Sequence, residues 1–246
     1  MLEDIARSLA GLAVTAVVLS LSGCNAGSVT IDGMKGVPLA ELDLSGPPPE
    51  QVALFGPDTV NIVQGERLTI QIDGDAAAKE RLRFVLKDGK LSIGREGWTL
   101  GGSSGGAKIE VTVPGVRKLV LAGSGTMHAD ALRGESTSVS IAGSGDIDVP
   151  AVDTGELKVE VIGSGDFKAA GKARSLKLTI AGSGTANLTG LTVEQAKVDV
   201  AGSGDANFAS DGEVIANIMG SGDIRVKGRA KCKVTAMGSG TLVCAP

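Results

Sequence analysis

From residue 116 to the C-terminus, apolar and polar residues alternate strictly on both sides of a recurring Gly-Ser-Gly. The tripeptide starts at residues 123, 143, 163, 182, 202, 220 and 238, at intervals of 20, 20, 19, 20, 18 and 18 residues. Counted from its first glycine, positions −6, −4, −2, +4 and +6 are apolar in copy after copy. Leu157, Val159, Val161, Phe167 and Ala169 form one set, and Leu176, Leu178, Ile180, Ala186 and Leu188 the next. Across 35 such positions only Arg117 and Thr137 break the rule. The intervening −5, −3 and +5 positions are mostly Lys, Ser, Thr, Asp and Asn. A two-residue period on each side of a corner predicts strand, sharp turn, strand, and leaves no room for a 3.6-residue helical stripe. One such unit cannot enclose a core, but a stack of them can. The pattern therefore predicts an all-β protein: a parallel β-helix, or solenoid, of about seven Gly-Ser-Gly coils. Handedness is not legible in the register, and a right-handed path is the expectation from parallel β connections in general.

The same register bears on chemistry. Ser124, Ser144, Ser164, Ser183, Ser203, Ser221 and Ser239 all sit inside the corner. Flanking glycines there serve backbone angles and close stacking of coils. A nucleophilic serine needs a base, and the single histidine, His128, falls at an outward +5 position. The tripeptide also lacks the G-x-S-x-G spacing of a nucleophile elbow. The serines thus read as structural turns. The residue after each corner is Thr126, Asp146, Asp166, Thr185, Asp205, Asp223 or Thr241. Carboxylates stacked one coil apart need solvent, a hydrogen bond or a cation. Asp146 with Asp166, and Asp205 with Asp223, are weak candidates for Ca²⁺ ligation. The free exchange of Asp for Thr favours a hydrogen-bonding corner residue instead. Cys232 and Cys244 occupy −6 and +6 of the last copy, both inward and symmetric about the corner. If the chain is exported, a disulfide there would pin a terminal coil that has no successor.

Residues 37–115 read as an N-terminal β segment outside this register. Alternation appears at Leu39–Leu44, Val52–Phe55, Val60–Val63, Leu68–Ile72, Leu82–Leu86, Leu91–Ile93 and Ile109–Val113. A short helical turn is expected at Asp75–Lys79. A solenoid exposes strand edges at its ends, and this segment is the natural cap. The glycine- and serine-rich loop at 94–106 carries the only tryptophan, Trp98, either as a plug over the core end or as a possible binding contact.

Composition narrows the functional classes. Aromatics make up 2% of the chain and tyrosine is absent, so stacking platforms for bases or sugars are scarce. Net charge is −4 with acidic and basic residues interspersed, which gives no reason to expect nucleic acid. Leu9–Leu21 is an apolar run too short for a comfortable membrane span. It ends in Leu21-Ser22-Gly23-Cys24, which resembles a bacterial lipobox. That resemblance implies a signal peptide over 1–23, lipidation (palmitate) of Cys24, and a tether over 24–36 leading into 37–115 and the repeat region 116–246. Glu3 and Asp4 outnumber Arg7 in the segment before the apolar run, where such leaders are basic. Asn25 after the cysteine points by analogy to the outer membrane, on its periplasmic or surface face.

The order of strands, then Leu91-Ser92-Ile93-Gly94-Arg95-Glu96, a loop, Ile109-Glu110-Val111-Thr112-Val113-Pro114, Leu119 to Gly125 and repeated GSGD or GSGT corners resembles the "putative auto-transporter adhesin, head GIN domain" family. The resemblance spans residues 37–246 and implies a β-helical domain of the bacterial cell envelope. It brings no catalytic residues and no ligand. The expectation is a non-enzymatic envelope lipoprotein, held to a membrane by its lipid. Its solenoid surface would meet a protein or glycan partner, as adhesin or scaffold, without cofactor. Two alternatives belong to other classes: a polysaccharide-active β-helix enzyme, and a calcium-stabilised structural module.

Overall fold

A computed structural model describes residues 30, 31, 33–97 and 106–246. Its strands, in chain order, are β1 (Thr30–Ile31), β2 (Met34–Lys35), β3 (Gln51–Phe55), β4 (Thr59–Gln64), β5 (Thr69–Asp73), β6 (Leu82–Lys87), β7 (Lys90–Arg95) and β8 (Lys108–Val113). The repeat region follows as β9 (Lys118–Gly123), β10 (Thr126–Ala129), β11 (Leu132–Gly143), β12 (Asp146–Gly163), β13 (Asp166–Gly182) and β14 (Thr185–Gly202). It closes with β15 (Asp205–Gly220), β16 (Ile224–Lys227), β17 (Lys231–Gly238) and β18 (Leu242–Ala245). An α-helix, α1 (Ala76–Glu80), begins where Asp75 accepts a hydrogen bond from the Ala78 N–H, 3.1 Å. The segment Leu39–Leu44 is not a strand; it turns as a 3₁₀ helix at Leu39–Glu41, following Pro38.

The repeat region is a parallel β-solenoid of about six turns, since seven corners bound six intervals. Each coil pairs in parallel with the next, and equivalent residues lie side by side: Val139 beside Val159, Val159 beside Leu178, Leu178 beside Val198. The register runs unbroken through the strand that enters each Gly-Ser-Gly corner. Differences in coil length are absorbed at the opposite bend, where pairing slips between Val149 and Val152 and between Leu188 and Thr192. Inward side chains from all coils merge into one core. Thr137 is inward and buried as the register requires, but Arg117 is exposed. Val116 takes the inward place there and bridges to Leu132.

The stack continues beyond residue 116 toward the N-terminus, out of sequence order. β3 and β4 lie parallel to β9 and β10, with Gly56-Pro57-Asp58 standing where later coils have Gly-Ser-Gly. β7 and β8 lie parallel to β3 and β4 on the far side. The coil at 51–64 is therefore sandwiched between the coil at 90–113 and the coil at 118–129. β6 on β7 and β5 on β8 run antiparallel and end the stack. At the other end, β17 pairs with β15 and β18 with β16. With a neighbour on one side only, the inward Val234 stays half exposed, at 51%.

Candidate functional site

The corners are built by their glycines. The first glycine of every Gly-Ser-Gly has φ between 119° and 132°, a region L side chains avoid. A Cβ on the second glycine would run into the preceding coil; at Gly145 it would meet the Gly125 carbonyl oxygen. Stacking is fastened by the serine backbone rather than its hydroxyl. Ser144 N donates to Gly123 O at 3.0 Å, Ser164 N to Gly143 O at 2.9 Å, and Ser203 N to Gly182 O at 2.9 Å. All seven serine side chains face solvent, in a column where the Ser239 hydroxyl donates to Ser221 Oγ at 3.0 Å.

The carboxylates after the corners also serve the stack. Asp146 Oδ1 accepts from Asp166 N at 3.3 Å, Asp166 Oδ1 from Thr185 N at 3.1 Å, and Asp205 Oδ1 from Asp223 N at 2.8 Å. Asp223 Oδ1 takes both the N–H and the hydroxyl of Thr241, at 3.2 and 2.7 Å. The Thr241 hydroxyl, then its N–H and the nearby Arg225, hold the Asp223 carboxyl below its ordinary value. Among the described residues, no three His, Cys, Asp or Glu side chains gather to hold a metal ion. His128 lies beside Asp148 of the next coil, at 3.3 Å. Cys232 and Cys244 are joined in a disulfide across the last coil, with Cα atoms 6.7 Å apart. Cys24 and Trp98 lie outside the described residues.

Two sites were not separated out by the sequence reading. One is an ion pair between Asp58 and Arg95, whose side chains are 0% and 1% exposed. Arg95 Nε donates to Asp58 Oδ2 at 3.1 Å, and the Ala107 N–H to Asp58 Oδ1 at 2.7 Å. Asp58 thereby clips together the two ends of the loop between β7 and β8. Its sequence signal was the equivalence of Gly-Pro-Asp to Gly-Ser-Gly.

The other is the outer wall formed by the strands entering the corners, where register sorts residues by column. The −5 column reads Lys90, Gln51, Lys118, Ser138, Lys158, Lys177, Lys197, Ile215 and Lys233, without a single acid. The −1 column, on the same face, is apolar from Phe55 through Ala122, Ala142, Ile162, Ala181, Ala201 and Met219 to Met237. Ala181, Ala201, Met219 and Met237 line a groove of about 230 Å³. It is too small to enclose a drug-sized ligand and suits protruding side chains or chain-like groups. Ile162, Met219 and Met237 are 37%, 40% and 50% exposed. Near the N-terminal end, Ile31 from the β1–β2 hairpin covers the same wall, burying Ala53 and Phe55.

These features define a class first: a parallel β-solenoid, closed at one end by antiparallel strands, with corner chemistry spent on coil stacking and one amphipathic outer wall. The chain belongs to the family described as "Putative auto-transporter adhesin, head GIN domain", which it matches over residues 48–230. Solved structures share the fold. A "putative adhesin" from Bacteroides fragilis is 20% identical, with 81% of this chain and 93% of that one covered at a TM-score of 0.72. A "putative adhesin" from Parabacteroides distasonis is 18% identical over 82% and 94%, TM-score 0.67. A "putative lipid binding protein" from the same species is 18% identical over 81% and 93%, TM-score 0.64. No curated protein matches the chain. Among the described residues, no helix is long and apolar enough to cross a membrane.

Proposed function

We propose that the chain is a non-enzymatic, lipid-anchored solenoid of the bacterial cell envelope, adhesin-like in presenting a rigid surface to a protein or glycan partner. The observation that carries this reading is the commitment of the corner side chains. The carboxylates of Asp146, Asp166, Asp205 and Asp223 accept bonds from the neighbouring coil, and His128 lies against Asp148. General acid–base work needs a group poised toward a substrate, whereas these hold the stack together. Membership of an adhesin-named family supports the envelope location, and Leu21-Ser22-Gly23-Cys24 supports the anchor.

The test combines fractionation with surface labelling in the native host. Incorporated palmitate and salt-resistant membrane association, both lost in Cys24→Ser, are the expected results for anchoring. An epitope tag after Pro246 should be labelled on intact cells. Labelling only after permeabilisation would sink the adhesin reading and point to periplasmic partners. Turnover of a polysaccharide by the purified chain would overturn the non-enzymatic one.

A further inference from the structure

We infer that the amphipathic outer wall is a docking surface for an anionic phospholipid bilayer. The protein carries a net charge of −4, yet six lysines of one column stand on this wall. The only carboxylates between them and the apolar column are Glu160 and Asp199. Glu156 and Glu213 border the lysine column on its other side, and the four corner Asp residues lie in another column, so lysines outnumber carboxylates on this wall. A bilayer with anionic headgroups complements that arrangement: lysine ammonium groups reach phosphates while the apolar stripe enters the headgroup–acyl boundary.

Local geometry fits this use. Four of the six lysines have acidic neighbours, Lys158 with Glu160 at 2.8 Å, Lys177 with Glu156 at 2.5 Å, Lys197 with Asp199 at 3.8 Å and Lys233 with Glu213 at 2.8 Å, but these lysine side chains are 48% to 74% exposed. Ion pairs that exposed are weak and exchange readily for other anions. The long stems of the lysines can extend along the wall while their charged ends reach outward. In a parallel stack, equivalent side chains recur about every 4.8 Å, so the stripe offers a regular series of contacts rather than one pocket. The chain also enters the described fold on this side: the β1–β2 hairpin, which begins at Thr30, covers the same wall. A lipid on Cys24, if present, would be tethered by a few residues to the face proposed to meet the membrane. This inference adds an orientation to the reading above and does not require acylation.

The test uses the full-length Cys24→Ser chain, so that no lipid anchor contributes, and co-sedimentation with vesicles. Binding to vesicles containing phosphatidylglycerol, weakened by salt and absent with pure phosphatidylcholine, is expected. Lys177→Gln with Lys197→Gln should weaken it roughly 30-fold, from about a kcal/mol per surface lysine. Lys168→Gln, in the +5 column, should leave it unchanged. Met219→Ser should weaken binding while circular dichroism stays the same. Equal binding to both vesicle types, no binding, or an equal effect of Lys168→Gln would overturn the inference. Tighter capture by lipid-free poly-glutamate would overturn it too and assign the wall to an acidic protein. An unsubstituted chain that takes up no palmitate in the host, alongside intact vesicle binding, would defeat the anchor alone.

Discussion

Asp58 and Arg95 pair at a solenoid corner with both side chains essentially excluded from water. Asp58 belongs to the sandwiched coil and Arg95 to the outermost one, so their contact fastens two coils that the antiparallel strands β5 and β6 separate in the sequence. Removing one partner leaves the other charge buried and uncompensated. Asp58→Ala should therefore cost about 3–5 kcal/mol, read as the urea unfolding free energy. The double substitution with Arg95→Met should cost less than the two single changes together. Additive losses would show that the pair does not act as a unit.

The two parts of the corner should respond very differently to alanine. Gly143 has φ 123°, and a Cβ there would strike Gly123 O; Gly143→Ala should cost more than about 1 kcal/mol. Ser144 presents an exposed side chain and bonds through its backbone. Ser144→Ala should stay within about 0.5 kcal/mol. Denaturant midpoints of the two variants make the comparison, and a large serine effect would reopen a role for the hydroxyl.

Reduction of Cys232–Cys244 opens a link between residues 12 apart in the terminal coil. The expected loss is about 2–4 kcal/mol, concentrated where coil contacts are one-sided. Amide exchange should accelerate in β17 and β18 and remain slow in β12 to β14. Uniform acceleration would mean that the whole stack unfolds as one unit.

The Asp223 carboxyl is held below its ordinary value, first by the Thr241 hydroxyl. Its contribution is thus present above the ordinary aspartate pKa and lost as pH falls through the lowered folded value. Glu213 is likewise lowered by Lys233, and Lys233 raised by Glu213. The Lys233 contribution is present below the ordinary lysine value and lost only as pH rises through its raised one. NMR titration should find the Asp223 pKa moving up in Thr241→Val and the Glu213 pKa moving up in Lys233→Met. No movement would detach these contacts from the titrations.

The sequence by itself determined the coil. Two-residue alternation about Gly-Ser-Gly states which side chains of 116–246 point inward, because a strand has no other period, and the intervals state how coils align. The inward Cys232 and Cys244, one on each side of the last corner, were likewise legible. The tertiary structure alone decided the rest, because it depends on which coil lies beside which. The path at the N-terminal end places 51–64 between 90–113 and 118–129, an order that no local pattern encodes. Asp58 and Arg95, 37 residues apart, meet only through that order. The wall is a milder case: every residue at −5 and −1 was visible in the sequence. Lys158, Lys177 and Lys197 became a column beside Ala181 and Ala201 once parallel pairing set the coils side by side. Leu39–Leu44 misled within the local pattern itself. Only Leu42 and Leu44 are two apart; Leu39 and Leu42 are spaced by three and both pack against the core from a 3₁₀ turn that follows Pro38.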